Sequence, residues 1–472
     1  MKIEQLYTGC LAEAAYYIES EGEAIIIDPL RDIQTYVQKI ERNNVTLKYI
    51  FETHFHADFV SGHLDLAEAT GATIVYGPKA ETTFNSHIAY DGEKISIGKI
   101  TLQVLHTPGH TQESSCYLLY DEDGNKHALF TGDTLFIGDV GRPDLAIKSD
   151  LTKEDLAGML YDSLEEKIKP LPDAITIYPA HGAGSACGKN LSKETFDTLG
   201  SQKQKNYALK AADKETFIKQ VLDDLQPAPS YFNMNALLNK EGPGSVSELI
   251  KQGSIAFDVQ SFENLQRQTY AVLLDTRDAK EFKKGFIPGS INIGLNGQLA
   301  PWAGTLLTNS DKPILIITDP GKEEETIIRL ARVGVDQVIG YLKDGYNSWQ
   351  KANKPEENIE TISAAELVEK LDENINILDV RKADEYEKGH LNAAQHLPLD
   401  YINDWITTLD KNKTYYVHCA GGYRSVITES ILKSRNISNV IDVSGGYGAI
   451  KAAMEPTKKR WLNAFFSFMK VK

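Results

Sequence analysis

Short apolar runs separated by polar turns dominate the first half of the chain. Runs at Ala24–Asp28, Tyr49–Thr53, Thr73–Tyr76, Ile100–His106, Ser115–Tyr120, Ala128–Gly132 and Ile175–Pro179 predict strands. The periodic stretches Ile33–Arg42 and His63–Ala69 predict helices between them. This is a mixed α/β pattern with strands enough for two sheets. Residues 190–240 read as polar helix and close on Q-P-A-P-S and E-G-P-G-S, a linker signature. Beyond the linker the chain repeats itself. Asp275, Arg277, Ala279, Glu281, Lys284 and Gly285 match Asp379, Arg381, Ala383, Glu385, Lys388 and Gly389 at one constant offset. Each copy then has an apolar strand, Pro313–Thr318 or Thr414–His418, and a closing Gly-Tyr, Gly345–Tyr346 or Gly446–Tyr447. The expected domains are therefore 1–245, 246–356 and 357–472, the last two being copies of one α/β unit.

Four polar signals interrupt the first domain just after predicted strands. The longest is T-H-F-H-A-D-F-V-S-G-H, Thr53 to His63. His54, His56 and Asp58 alternate there with Phe55, Ala57 and Phe59, so a period of two turns three metal-capable groups one way and apolar groups the other. The others are T-P-G-H (Thr107–His110), T-G-D-T (Thr131–Thr134) and P-A-H-G (Pro179–Gly182). Strand-end loops are where a rigid scaffold presents ligands. Any one signal has an ordinary structural explanation, such as an Asp capping a turn. Four in one domain point to a metal centre.

Composition narrows the class. The chain has 472 residues, 42% hydrophobic and 25% charged, too many for one core and typical of soluble globular domains. A formal charge of −16 lacks the basic footprint of a nucleic-acid binder. No apolar run has the length of a membrane span and no secretory signal is legible. Cys10, Cys116, Cys187 and Cys419 form no C-x-x-C pair, so a reduced, cytoplasmic location is expected. Cys10 and Cys116 read as core.

The four signals, in their order and spacing, resemble the metallo-β-lactamase fold, an αββα sandwich of two sheets flanked by helices. Zinc hydrolases of the glyoxalase II type extend the first motif to T-H-x-H-x-D-H and bind two metals. Phe59 stands where their last His would, which removes one ligand of a second site. G-R-P-D-L, Gly141 to Leu145, resembles the corresponding segment of persulfide dioxygenases. That resemblance implies one iron(II) per chain, held by His54, His110 and Asp133. Two imidazoles and one carboxylate on one face leave octahedral positions for a persulfide sulfur and for O2. It leaves His56, Asp58 and His181 to orient ligands or steer the sulfur, and Arg142 and Asp144 to position an anionic carrier or lock their loop. Cys187 follows His181 in a Gly-rich loop, and nearby Lys189 is expected to lower its pKa so that it relays sulfur; the alternative is a small buried apolar residue.

The last domain carries H-C-A-G-G-Y-R-S, His418 to Ser425. A cysteine at a strand end, followed by glycines and a helix entry, sits among backbone N–H groups that favour a thiolate or persulfide. This loop (Cys419, Ala420, Gly421, Gly422, Tyr423, Arg424, Ser425) resembles the rhodanese family of sulfurtransferases, which implies Cys419 and Arg424 as catalytic. The first copy has T-D-P-G-K-E-E-E instead, with Asp319 for the cysteine and Glu324 for the arginine, and resembles the inactive rhodanese domain of some fusions. The whole chain thus resembles persulfide dioxygenase–rhodanese fusions of sulfide detoxification. Those imply a glutathione- or coenzyme A-type persulfide, O2 and sulfite or thiosulfate as reactants. Two other readings compete: a zinc thioester hydrolase with a sulfur-carrier appendage, and a non-catalytic sulfur carrier. The tail Lys458–Lys472, rich in aromatic and basic residues, is expected to pack as a terminal helix rather than touch a membrane. With the acidic middle domain it offers contacts for a homo-oligomer.

Overall fold

Two six-stranded sheets carry the N-terminal architecture in a computed structural model, which describes residues 1–145, 151–308 and 310–455. The first sheet runs β1 (Lys2–Thr8), β2 (Glu13–Ser20), β3 (Glu23–Ile27), β4 (Thr46–Phe51), β5 (Thr73–Tyr76) and β6 (His87–Ile88), in that spatial order. The second contains β7 (Lys94–Ile97), β8 (Ile100–His106), β9 (Ser115–Tyr120), β10 (Lys126–Gly132), β11 (Thr176–Pro179) and β12 (Asp197–Thr198), ordered β12-β11-β10-β9-β8-β7. Strand β2 explains how the layers form. Ala14, Tyr16 and Ile18 join an inner core with Ile97, Leu102, Val104, Tyr117, Leu119 and Phe130 of the second sheet. Ala15 and Tyr17 point the other way, into a core with Tyr36, Ile40 and Leu66 of the helices Gln34–Asn43 and His63–Thr70. Leu118, Leu129 and Ile177 similarly meet Leu160 and Phe217 of the helices Lys153–Ser163 and Lys214–Leu222. The expected αββα sandwich is the observed one.

All seven expected strands are present, each within three residues of its expected bounds. The pattern missed β1, β2, β6, β7 and β12. Strand β2 is buried on both faces, so its E-A-A-Y-Y-I-E-S has no alternation to read.

The chain divides into two units. One gathers the described residues of Met1–Ile250 with 303–308 and 328–336; the other gathers Lys251–Trp302, Ser310–Ile327 and the described residues from Gln337 on. Within the first unit, Asp336 holds the buried Arg31 guanidinium at 2.6 Å and Arg332 grips Asp32 at 2.7 Å. The second unit contains two five-stranded sheets of one topology. The first is β13 (Ala256–Phe257), β14 (Val272–Asp275), β15 (Ile291–Asn292), β16 (Ile314–Ile317) and β17 (Val338–Leu342), ordered β13-β17-β16-β14-β15. The other is β18 (Glu360–Ser363), β19 (Asn376–Asp379), β20 (Ala394–His396), β21 (Tyr415–His418) and β22 (Val440–Ser444), ordered β18-β22-β21-β19-β20. Every pair in both is parallel.

The residues common to both copies build the scaffold. Arg277 pairs with Asp275 at 2.6 Å, donates to the Gly285 carbonyl at 3.0 Å and stacks 3.9 Å over Tyr346. Arg381 does the same with Asp379, Gly389 (2.9 Å) and Tyr447 (4.0 Å). A desolvated guanidinium needs both a carboxylate and a ring face, which is why Asp, Arg, Gly and Tyr recur together. The tail from Lys458 lies outside the described residues. Among the described residues, no helix is long and apolar enough to cross a membrane.

Candidate functional site

Loops leaving β4, β8, β10 and β11 bring the four polar signals together. Thr53, two residues after β4, donates its N–H and hydroxyl to the Asp28 carboxylate at 2.7 and 2.9 Å. Having given its only hydroxyl proton away, Thr53 Oγ1 accepts from His54 Nδ1 at 3.0 Å. That fixes the proton on Nδ1 and bares Nε2. The Arg142 carbonyl does the same for His110, accepting from Nδ1 at 2.9 Å. The two bare nitrogens converge on one oxygen. Asp133 Oδ2 lies 3.4 Å from His110 Nε2 and 3.8 Å from His54 Nε2, is buried, and has no hydrogen-bond partner. Two imidazole lone pairs and an orphaned carboxylate oxygen, all within 4.8 Å of one another, are a donor set suited to a metal ion. Gly132 makes this closure possible. Its φ is +50°, and a Cβ there would stand 2.6 Å from Thr53.

His56 is turned away from this set. Its Nε2 lies 3.0 Å from Asp28 Oδ1 and 3.4 Å from Glu52 Oε2, and its ring stacks on Phe59 at 4.3 Å. Burial works against a charge on His56, but the two carboxylates outweigh it and hold its pKa well above the usual histidine value. Burial pushes Glu52 up to about 7. Burial, and then the neighbouring His56, hold His54 well below the usual value, which favours the neutral ring that a metal ligand would need. Asn239 fastens the loop's backbone. It donates to the carbonyls of His56 and Phe59 at 2.7 and 2.8 Å and accepts from the Ser61 N–H at 2.8 Å.

His181 bridges two carboxylates, with Nδ1 2.7 Å from Asp133 Oδ1 and Nε2 2.8 Å from Asp58 Oδ2. Cys187 joins Asp58 and His181 in a second buried cluster beside the first. Lys189 does not activate this thiol. Its ammonium is bound by the carbonyls of Gln220 and Asp223, each at 2.7 Å, while burial and the Asp58 and Asp133 carboxylates push the Cys187 thiol well up. Arg142 and Asp144 form a bidentate pair at 2.7 Å, and Arg142 also donates to the Ala186 and Gln226 carbonyls. With its donors engaged by protein, this pair locks the loop whose carbonyl orients His110. Sequence reasoning missed Asp28, Glu52 and Asn239. Asp28 ends the A-I-I-I-D run and Glu52 directly precedes T-H-F-H, so strand-end position was the available signal for both.

In the second unit, β21 delivers Cys419 to a helix entry, Tyr423–Ser434. Cys419 Sγ accepts from the Gly422 N–H at 3.1 Å and faces Ser425 Oγ at 3.8 Å. Gly446 has φ +59°, and a Cβ on it would lie 2.3 Å from the Cys419 carbonyl. That carbonyl also accepts from the Tyr447 N–H at 2.7 Å, so the closing Gly-Tyr clamps the cysteine backbone. Arg424 engages the Glu385 carboxylate with both ends of its fork, at 2.5 and 2.7 Å, rather than Cys419 Sγ. In the first copy, Asp319 and Glu324 are exposed at the equivalent junction.

The metallo-beta-lactamase superfamily model matches residues 8–181, and the rhodanese-like domain model matches 258–352 and 363–453. A crystal structure of a metallo-beta-lactamase from Staphylococcus aureus subsp. aureus COL is 33% identical, with 72% of this chain and 98% of that chain covered and a TM-score of 0.63. The chain belongs to the metallo-beta-lactamase superfamily. As a member of that superfamily followed by two rhodanese-like domains, it is an enzyme with a metal-binding first domain. Its curated relatives include a probable hydroxyacylglutathione hydrolase of Schizosaccharomyces pombe, 28% identical over 44% of this chain and 87% of that protein. The cytoplasmic hydroxyacylglutathione hydrolase of Arabidopsis thaliana is 30% identical over 38% of this chain and 67% of that protein. Each of these two covers less than half of this metallo-beta-lactamase superfamily chain.

Proposed function

We propose that this protein oxidises a low-molecular-weight thiol persulfide with O2 to sulfite and thiol, and that Cys419 passes a second sulfane sulfur to the sulfite. The observation that carries the reading is the division of the histidines. His54 and His110 turn bare Nε2 atoms toward the orphaned Asp133 oxygen, while His56 is withdrawn to Asp28 and Glu52. A three-ligand set, with Phe59 stacked on the withdrawn His56, suits a single iron(II) with open positions. Bound there, iron(II) supplies the redox chemistry that joins O2 to a sulfane sulfur. The chain's own residues keep His54 and His110 neutral and correctly rotated, hold Asp133 with His181, and surround the site with buried side chains that exclude water. The oxidation balances as RSSH + O2 + H2O giving RSH, sulfite and two protons.

At the other site, Cys419 thiolate forms a bond to the outer sulfur of a persulfide and RS− leaves. Sulfite then attacks that outer sulfur, the S–S bond breaks, thiosulfate departs and the thiolate returns. The Gly422 N–H receives the negative sulfur at each stage. One chain carrying both activities raises the local concentration of diffusible sulfite. The thiol carrier is glutathione-like on this reading, in keeping with relatives named for glutathione thioesters. Those names also motivate the rival: with Asp58, His181 and Cys187 clustered beside the triad, a zinc centre would hydrolyse thioesters. Metal-analysed protein given glutathione persulfide in one cell and a hydroxyacylglutathione in another separates them. O2 consumption with the first and no thiol release from the second is expected; thiol release without O2 consumption sinks the dioxygenase reading.

A further inference from the structure

The first rhodanese-like copy lacks the cysteine, yet it packs against the helix that carries the Cys419 loop. Phe282 and Phe286, stacked at 4.1 Å, form a buried cluster with Val426. The Asn292 N–H donates to Ser430 Oγ at 3.0 Å, and the Tyr423 hydroxyl donates to the Gly294 carbonyl at 2.9 Å. A cavity of about 270 Å³ opens between the copies, with Lys280, Lys283 and Asn296 on one wall and Gly422, Tyr423 and Ser444 on the other.

One polar line runs from that wall to the sulfur. Lys283 Nζ lies 2.6 Å from Asp442 Oδ2, Asp442 Oδ1 accepts from the Ser425 hydroxyl at 2.9 Å, and Ser425 Oγ lies 3.8 Å from Cys419 Sγ. We propose that the cysteine-less copy is a working half of the Cys419 site, Lys283 acting as its positioning residue through Asp442 and Ser425. The inference rests on Cys419 being the sulfur-carrying thiol of the proposed function.

The charges around the sulfur give the reason. Ser425 directs its one proton to Asp442, so its lone pairs face Cys419 and accept the thiol proton. Forming a thiolate places a second negative charge one serine away from Asp442, which is 1% exposed. Like charges so close disfavour ionisation unless a cation compensates. Lys283 is that cation. The other cations nearby are engaged elsewhere: Arg424 with Glu385, Arg381 with Asp379, and Lys433 with Glu357 at 3.4 Å. Glu429, fully buried with both oxygens unpartnered, is kept neutral because burial raises its carboxyl pKa. Burial likewise favours neutral His418. Lys280 and Asp278 line the cavity with opposite charges. The degenerate copy therefore retains one duty, to set a positive charge against Asp442 so that the Ser425–Cys419 contact stays aligned and a thiolate there is not opposed by an unpaired carboxylate.

The test is the pH dependence of Cys419 alkylation by iodoacetamide, followed by mass analysis of the Cys419 peptide in the full-length protein. Lys283→Met is expected to raise the midpoint by about one unit or more, Asp442→Asn to lower it, and Lys283→Arg to leave it near wild type. The Lys283→Met/Asp442→Asn double variant, with both charges gone, is expected to return toward wild type. A merely structural role would move both single variants in the same direction, and that result, or an unmoved midpoint in both, overturns the inference. Asp442→Asn keeps the test decisive if Lys283→Met does not fold. Because alkylation does not require sulfur transfer, an inactive wild type would count against the proposed function and leave the midpoint result to judge Lys283 separately.

Discussion

His54 and His56 are two positions apart, yet their Nε2 atoms face a carboxylate oxygen with no other partner in one case and an Asp28–Glu52 pair in the other. Replacing them should therefore have different effects. His54→Ala is expected to lose the bound metal. His56→Ala is expected to keep it, but to lose about 3–5 kcal/mol of stability, because two buried carboxylates lose their counter-charge. Metal analysis and urea unfolding of both variants check this; loss of metal in His56→Ala would make His56 a ligand and favour a two-metal hydrolase. A pH prediction belongs to Glu385. Burial raises its carboxyl pKa, but Arg424 outweighs burial and holds it below the usual value. A depressed folded pKa means stabilisation that is present above the unfolded value and is lost as pH falls through the folded one. The pair is part-exposed, so about 1 kcal/mol is expected near neutrality. The stability gap between wild type and Glu385→Gln should narrow on acidification from pH 7 to pH 4; a gap constant with pH would contradict it. At this scale the sequence singled out His54, His110, Asp133 and Cys419 through their motifs and the resemblance those motifs carry, and the fold brings the first three together. It left Asp28, Glu52, Asn239 and Lys283 unread, because their roles depend on which distant segment they face.

Elements were legible where one face was buried and the other wet. The strand β8 alternates and was readable, whereas β2, covered on both faces, was not. Turn chemistry was legible as glycine, but its reason was not. Gly446 is needed because a left-handed backbone passes against the Cys419 carbonyl, and only the folded contact reveals that. Gly446→Ala should displace the Cys419 loop, cost about 1–3 kcal/mol and sharply reduce sulfur transfer, while leaving persulfide-dependent O2 uptake intact. Thermal unfolding and the two assays read this, and unchanged sulfur transfer would show that the clamp is dispensable. The repeat itself was visible as matching Asp, Arg and Gly residues, and these prove to be the scaffold of both copies rather than the chemistry of either. The copies differ at the strand-to-helix junction, Cys419 against Asp319, which is where the proposed sulfur transfer is placed.

At the scale of the whole chain, a metal-binding sandwich and a pair of rhodanese-like sheets lie in one polypeptide. On the proposed function they catalyse successive steps on one sulfur flow, with sulfite made at the first site consumed at Cys419. The direct measurement is product partition under excess glutathione persulfide in air, with O2, sulfite and thiosulfate followed together for wild type and Cys419→Ser. Wild type is predicted to consume O2 and accumulate thiosulfate. Cys419→Ser is predicted to consume O2 at the same rate and accumulate sulfite instead. Thiosulfate still formed at the wild-type rate by Cys419→Ser, or no O2 consumed by either protein, would contradict the account.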